Sequence, residues 1–152
     1  SASNETAIWA ARMGMNLQSS TLKVDETGEA FHLQQARQIR AYRAAWAEAG
    51  HDRTPRVSVS RSIFPLMNDT DRMYFGRGKD SDQIGQIDNF RAVFGRGYAD
   101  EPDRLIEDLR ADEAIAEADT LLLTVPNMLG VDYNLHVIDS ILRHVAPALG
   151  WH

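Results

Sequence analysis

Apolar positions along this chain change their period several times, and each change predicts an element. Ala36, Ile39, Tyr42, Trp46 and Ala49 recur at three- and four-residue spacing, which predicts a helix from about Phe31 to Ala49, stopped by Gly50. The stretch "RVSVSRSIFPL" (56–66) alternates instead, with Val57, Val59 and Ile63 on one face and Ser58, Ser60 and Ser62 on the other. That period of two predicts a strand. "DTLLLTVP" (119–126) is a continuous apolar run of strand length, as in a parallel strand buried on both faces. From about Val131 to Leu149 the helical period returns, placing Leu135, Ile138, Ile141, Leu142, Val145 and Leu149 on one face.

The remaining segments are shorter. Ser3 or Asn4 suits a helix N-cap with Glu5 in the first turn, Ile8, Trp9 and Met13 give an apolar face, and Gly14 suits the position past the end. Met15 to Ser19 reads as a short strand, followed by a polar loop through Glu29. Asn68 to Asp71 can cap a short helix through Phe75, and residues 76–82 read as a mobile loop. Ile84, Ile87, Phe90, Val93 and Phe94 predict a further amphipathic helix closed by Gly95. Pro102 fits the first turn of the next helix, with Leu105, Ile106 and Leu109 as its buried edge. Strands separated by helices imply βαβ units and a parallel sheet. Three strands alone would leave two long apolar edges, so the chain is expected to belong to a larger α/β assembly.

Composition narrows the function classes. The 152 residues suit one domain, and 43% hydrophobic with 25% charged residues is the balance of an ordinary globular chain. The absence of Cys excludes a disulfide scaffold, a thiolate metal site and a Cys nucleophile. No apolar run approaches the roughly 20 residues that span a bilayer, and no signal-peptide pattern precedes the first helix, so a cytoplasmic location is expected. A formal charge of −6 argues against nucleic acid or an anionic membrane as the main partner, while leaving room for a local basic pocket that takes one phosphate. His136 and His144 lie eight apart, and none of the five His residues has zinc-chelating spacing, so no metal site is expected. The Gly-Arg-Gly stretches at 76–78 and 95–97 lack the full dinucleotide fingerprint and read as loops. The acidic run at 107–119 reads as a solvated helix face.

Several segments, in order, resemble one family. "SASNETAIWAARMGMNLQSS" (1–20) is similar to the fifth-strand exit, fifth helix and sixth strand of the bacterial luciferase-like monooxygenases. "AGHDRTPRVSVSRSIFP" (49–65) resembles the approach to their seventh strand, and 98–151 their closing helix–strand–helix. The resemblance spans nearly the whole chain outside an insert at about 68–98. It implies an α/β fold, a parallel (β/α)8 TIM barrel, of which residues 1–152 would be one partial domain: the C-terminal half, from the end of strand five to strand eight, beginning in the middle of the barrel. It also implies FMN, or alternatively a deazaflavin, bound at the carboxyl ends of the strands. The partner would be the missing N-terminal half or a second copy in a homo-oligomer. The four strands that carry the family's proton-transfer residues have no counterpart here, so no catalytic residue is assigned.

Candidate contacts follow. Free N–H groups at a helix start carry partial positive charge, and small side chains admit an anion. By resemblance, Ser1, Ala2, Ser3, Asn4 and Thr6 would surround the flavin phosphate; an ordinary N-cap equally explains Ser3 or Asn4. Gln18, Ser19 and Ser20, at a strand's carboxyl end, would bond the isoalloxazine ring or line the substrate side, or else supply loop-entry polarity. Ser60 and Ser62 would line the barrel mouth, Arg61 would form a structural ion pair, and Asn127 is a candidate rim residue. The activity implied is a flavin-dependent monooxygenase using reduced FMN and oxygen on an organic substrate. The alternatives are a deazaflavin-dependent dehydrogenase, a non-catalytic half-barrel that self-associates, and a small doubly wound binding module.

Overall fold

The computed structural model describes residues 1–24, 28–77, 81–87 and 90–151. They form two compact units, the first from 1–60, 82–95 and 112–122, the second from 61–81, 96–111 and 123–152. The polar loop expected after Ser19 includes 25–27, and the mobile loop expected at 76–82 includes 78–80; both stretches lie outside the described residues, as do 88 and 89.

In the first unit, α1 (Asn4–Arg12) begins where the extended Ser3 accepts the Thr6 N–H on its hydroxyl. Its buried stripe is Ala7, Ala10 and Ala11, and these small side chains let it lie closely on α2 (Phe31–Ala49). Of the expected face of Ile8, Trp9 and Met13, only Ile8 packs on the core: Trp9 is 54% exposed and Met13 is exposed as well. Gly50 closes α2 in the left-handed region at φ 69°, where glycine carries no Cβ penalty. Ile39, Tyr42 and Trp46 of α2 meet Leu17, Val57 and Val59 in the core. The buried Tyr42 hydroxyl donates to the Met15 carbonyl at 2.7 Å.

Strand β1 (Leu17–Gln18) runs parallel to β3 (Val57–Arg61), Leu17 opposite Val57, and β8 (Thr120–Leu123) lies on the other side of β3. Leu121 packs on the core while Leu122 is exposed, so β8 is not buried on both faces. The short helix α5 (Glu113–Glu117) is capped by Asp112 and tied to α2 by Arg40, which reaches both Glu113 and Glu117 at 2.8 Å. The helix expected through 84–94 is instead two strands, β5 (Gln83–Ile87) and β6 (Phe90–Phe94). They pair antiparallel with each other, and β6 pairs antiparallel with β2 (Leu22–Val24). Isoleucine, valine and phenylalanine favour a pleated surface, and a three-residue apolar spacing without a cap does not override that.

Gly95 follows β6 where a Cβ would come within 2.7 Å of the Phe31 ring. Phe31 is buried and has little room to yield. Gly95→Ala is expected to destabilise the protein by about 1–3 kcal/mol through overpacking, read as a lower urea midpoint at unchanged slope.

In the second unit, β4 (Ile63–Pro65) runs parallel to β7 (Tyr98–Asp100). Helix α3 (Asp69–Phe75) is capped by Asn68, and α4 (Pro102–Arg110) starts on Pro102, whose missing N–H costs nothing there. Helix α6 (Gly130–Ser140) continues through a wide turn at 141–145 into α7 (Ala146–Leu149). Val137, Ile141 and Val145, four apart, are buried where their segment packs on α4 and β4, which bury Leu105, Ile106, Leu109 and Ile63. Leu135 and Leu142, expected on the same face, are exposed.

The expectation of a parallel (β/α)8 TIM barrel, or of its C-terminal half, is overturned. The described residues form a mixed α/β fold with two sheets of three strands and one of two, one of them antiparallel. A barrel requires its strands to bond side by side in one closed parallel sheet. Here the single alternating strand read at 56–66 divides at Ser62 between two sheets, and Ser62 pairs its hydroxyl with that of Thr124 at 2.6 Å. Among the described residues no helix is long and apolar enough to cross a membrane.

Candidate functional site

The first unit joins the two polar segments that the sequence marks separately. The Ser1 nitrogen donates to the Gln18 carbonyl at 2.6 Å, and the Ser20 N–H donates to the Ser1 carbonyl at 2.8 Å. The turn before α1 therefore runs beside the end of β1. Within it, the Ser1 hydroxyl donates to the Ser3 carbonyl, and the Ser3 and Thr6 hydroxyls pair at 3.0 Å. Ala2, Ser3, Asn4 and Thr6 are exposed, and Ser1 is half-buried. With the Thr6 and Ala7 N–H groups turned back on Ser3, those of Asn4 and Glu5 are left for a solvent or ligand oxygen.

Two glutamines that the sequence reading passed over hold this arrangement. Gln35 and Gln38, both fully buried on α2, bridge the segments through their amides. Gln38 donates to the Ser3 carbonyl at 2.7 Å and accepts the Ser19 hydroxyl at 2.8 Å. Gln35 donates to the Ser20 carbonyl at 2.8 Å, while its own Oε1 has no partner among the described residues. Ser19 is thus a buried structural hydroxyl rather than an accessible one. Gln18 is exposed and accepts the Ser58 hydroxyl, and Ser20 receives the Leu22 N–H. The only sequence signal for the glutamines was polarity on the core side of an otherwise apolar helix.

The other unanticipated residue is Lys23, on β2. It is 4% exposed, and among the described residues its Nζ has no hydrogen-bond partner. Lysines are almost never buried unpaired. Burial first, and then the Arg37 charge, lower its pKa to about 8. Lys23 follows directly on the segment joined to the turn, where the Ser20 N–H bonds the Ser1 carbonyl and the Leu22 N–H bonds the Ser20 hydroxyl. A helix start with free N–H groups, clustered hydroxyls and a buried ammonium without a hydrogen-bond partner among the described residues is chemically suited to hold an anion.

The remaining candidates belong to both units. Ser60 and Ser62 are half-buried, Arg61 is buried, and Asn127 is exposed at the start of a single 3₁₀ turn (127–129). His51 is structural: its Nε2 bonds the Ala11 carbonyl at 2.9 Å, and its ring packs against Trp46.

No family model matches the chain, and no curated protein matches it. Among solved structures, it is similar to the monooxygenase RslO1 from Streptomyces bottropensis, with a TM-score of 0.63 and 13% identity. The match covers 98% of this chain and 46% of that one, so the chain spans less than half of the length of its structural neighbour. At that identity, what the two proteins share is a fold.

Proposed function

We propose that the first unit binds the phosphate of FMN, and that the chain serves a flavin-dependent monooxygenase of the luciferase-like kind that its sequence resembles. The observation that carries this reading is Lys23. Among the described residues its buried ammonium has no hydrogen-bond partner, and such a group becomes favourable once an anion lies beside it. The structural similarity to a protein described as a monooxygenase supports the same class of activity.

The donors fit a phosphate monoester. The Asn4 and Glu5 N–H groups and the Ser3 and Thr6 hydroxyls would bond its oxygens, and Lys23 would offset its charge. Gln35 and Gln38 would keep the turn and the β1 end in register, so that Gln18 and Ser20 present their polar groups beside the same ligand. When bound, reduced FMN supplies reactivity toward molecular oxygen, and the chain's own part is to anchor and orient it.

The test is a fluorescence titration with FMN and with riboflavin, which has the same ring and no phosphate. FMN is expected to bind at least about tenfold more tightly, the effect of one or two charge-assisted hydrogen bonds, and inorganic phosphate is expected to compete with it. Equal affinities for the two flavins, or no binding of either, would remove the proposal.

A further inference from the structure

In the second unit, the cap of α3 does more than start a helix. Asn68 Oδ1 accepts the Asp71 N–H at 3.0 Å, and Asp71 Oδ2 accepts the N–H groups of Met67 and Asn68 at 2.9 and 3.2 Å. That completes a capping box, whose acidic member is ordinarily at the surface. Asp71, however, is 1% exposed. Its carboxylate is also met by two side chains from α6: the Tyr133 hydroxyl donates to Oδ1 at 2.6 Å, and His136 Nε2 lies 3.0 Å from both oxygens.

The carboxylate fixes the chemistry of the imidazole. Ionised, Asp71 only accepts, and its two oxygens at 3.0 Å lie nearer to Nε2 than the Asn68 amide nitrogen at 3.4 Å, so Nε2 carries a ring proton and Nδ1 of the neutral ring is the basic nitrogen. Nδ1 has no hydrogen-bond partner among the described residues, and the His136 side chain is 34% exposed. A buried carboxylate that orients one nitrogen and leaves the other open is the arrangement that prepares a histidine for proton transfer. Beside it runs a row of rings. Tyr133 packs against His136 at 5.6 Å and edge-on to Tyr74 at 5.3 Å, and Tyr74 is 49% exposed. Phe75 and Phe64 stack behind them with centroids 3.9 Å apart.

We infer that His136 is a general base, held by Asp71 and Tyr133, that takes the proton of a phenolic hydroxyl on an aromatic compound lying against Tyr74 and Tyr133. In this step the phenol O–H bond breaks with its electron pair left on oxygen. The proton passes to Nδ1, and the resulting imidazolium is stabilised through Nε2–H by the Asp71 carboxylate. Asp71 is a positioning residue, since it touches the base and not the substrate. Tyr133 keeps its proton throughout, because burial, and then the Asp71 hydrogen bond and charge, raise its pKa well above the usual phenol range. The inference stands on the second unit alone and does not depend on flavin binding.

The probe is p-nitrophenol, whose ionised form is yellow. Wild-type protein is expected to bind it and to shift its ionisation toward the phenolate by about tenfold, the effect of a 1.4 kcal/mol preference. His136→Gln is expected to retain binding and lose the shift, and Tyr74→Ala to weaken binding. In the wild-type protein, nitrogen NMR is expected to show the His136 ring with its proton on Nε2, a readout that needs no variant to fold. Failure to bind the probe, the same ionisation in wild type and His136→Gln, or a proton on Nδ1 would each overturn the inference.

Discussion

Replacing Asp71 with Ala is expected to cost about 3–5 kcal/mol, among the largest losses any single substitution in this chain would produce. One side chain serves as acceptor for two backbone N–H groups of the α3 cap, the Tyr133 hydroxyl and the His136 ring. Its removal leaves those donors facing a cavity, and a broken buried network costs more than the sum of its surface equivalents. The damage is expected to be local, with amide hydrogen exchange accelerating in α3 and α6 ahead of the rest of the second unit. It also has a pH signature. Burial pushes the Asp71 carboxyl up, yet the hydrogen bonds from Tyr133, His136 and the Met67 N–H outweigh it and leave the pKa below the ordinary 3.8. A depressed carboxyl contributes stability that is full above its unfolded value and disappears as pH falls through the folded one. The wild-type protein should therefore lose stability on acidification below about pH 4 more steeply than Asp71→Ala. Equal acid sensitivity of the two proteins would mean that Asp71 carries none of this linkage.

Lys23→Met is expected to act in the opposite direction on stability. A lysine whose pKa falls from 10.5 to about 8 binds its proton more weakly when folded. The cost of burying its charge is full below about pH 8 and fades as pH rises toward 10.5, so wild-type stability should climb across that window. Methionine, of similar length and without charge, should stabilise the protein by about 3 kcal/mol at neutral pH and flatten that climb. The same substitution should weaken FMN binding by tenfold or more, roughly the 1.5–3 kcal/mol of a charged hydrogen bond, while leaving riboflavin unaffected. Gain of stability with loss of ligand is the pattern of a residue kept for function. In the wild-type protein, FMN affinity should also fall as pH rises past 8, where the free ammonium loses its proton. A destabilised variant with undiminished FMN affinity would show that Lys23 has another role.

The elements that could be read in advance are those fixed by a few neighbouring residues. Ser3, Asn68 and Pro102 start helices, and Gly50 ends one, because a cap satisfies N–H groups or permits a φ within three or four residues of itself. The alternation at 56–66 likewise set which side chains are buried, Arg61 included, since parity along a strand is local. Burial faces of helices were less legible. Alanine carries little hydrophobic signal, so the Ala7–Ala10–Ala11 stripe lost on paper to Trp9 and Met13, although only the small residues let α1 approach α2.

The candidate sites followed the same division. Sequence alone marked the hydroxyl-rich turn before α1 and the polar end of β1, and it supplied the resemblance on which the flavin reading rests. Tertiary structure decided the rest. It divided 56–66 between two sheets, made 83–87 and 90–94 antiparallel strands, and so replaced the expected barrel with a mixed fold. It also buried Lys23, laid Gln35 and Gln38 across the two polar segments, and brought His136 onto Asp71 from 65 positions away. Local order comes from contacts within one turn of chain. A lysine's burial and a histidine's orienting carboxylate depend on which distant strand or helix packs beside them, and no short stretch of sequence carries that information.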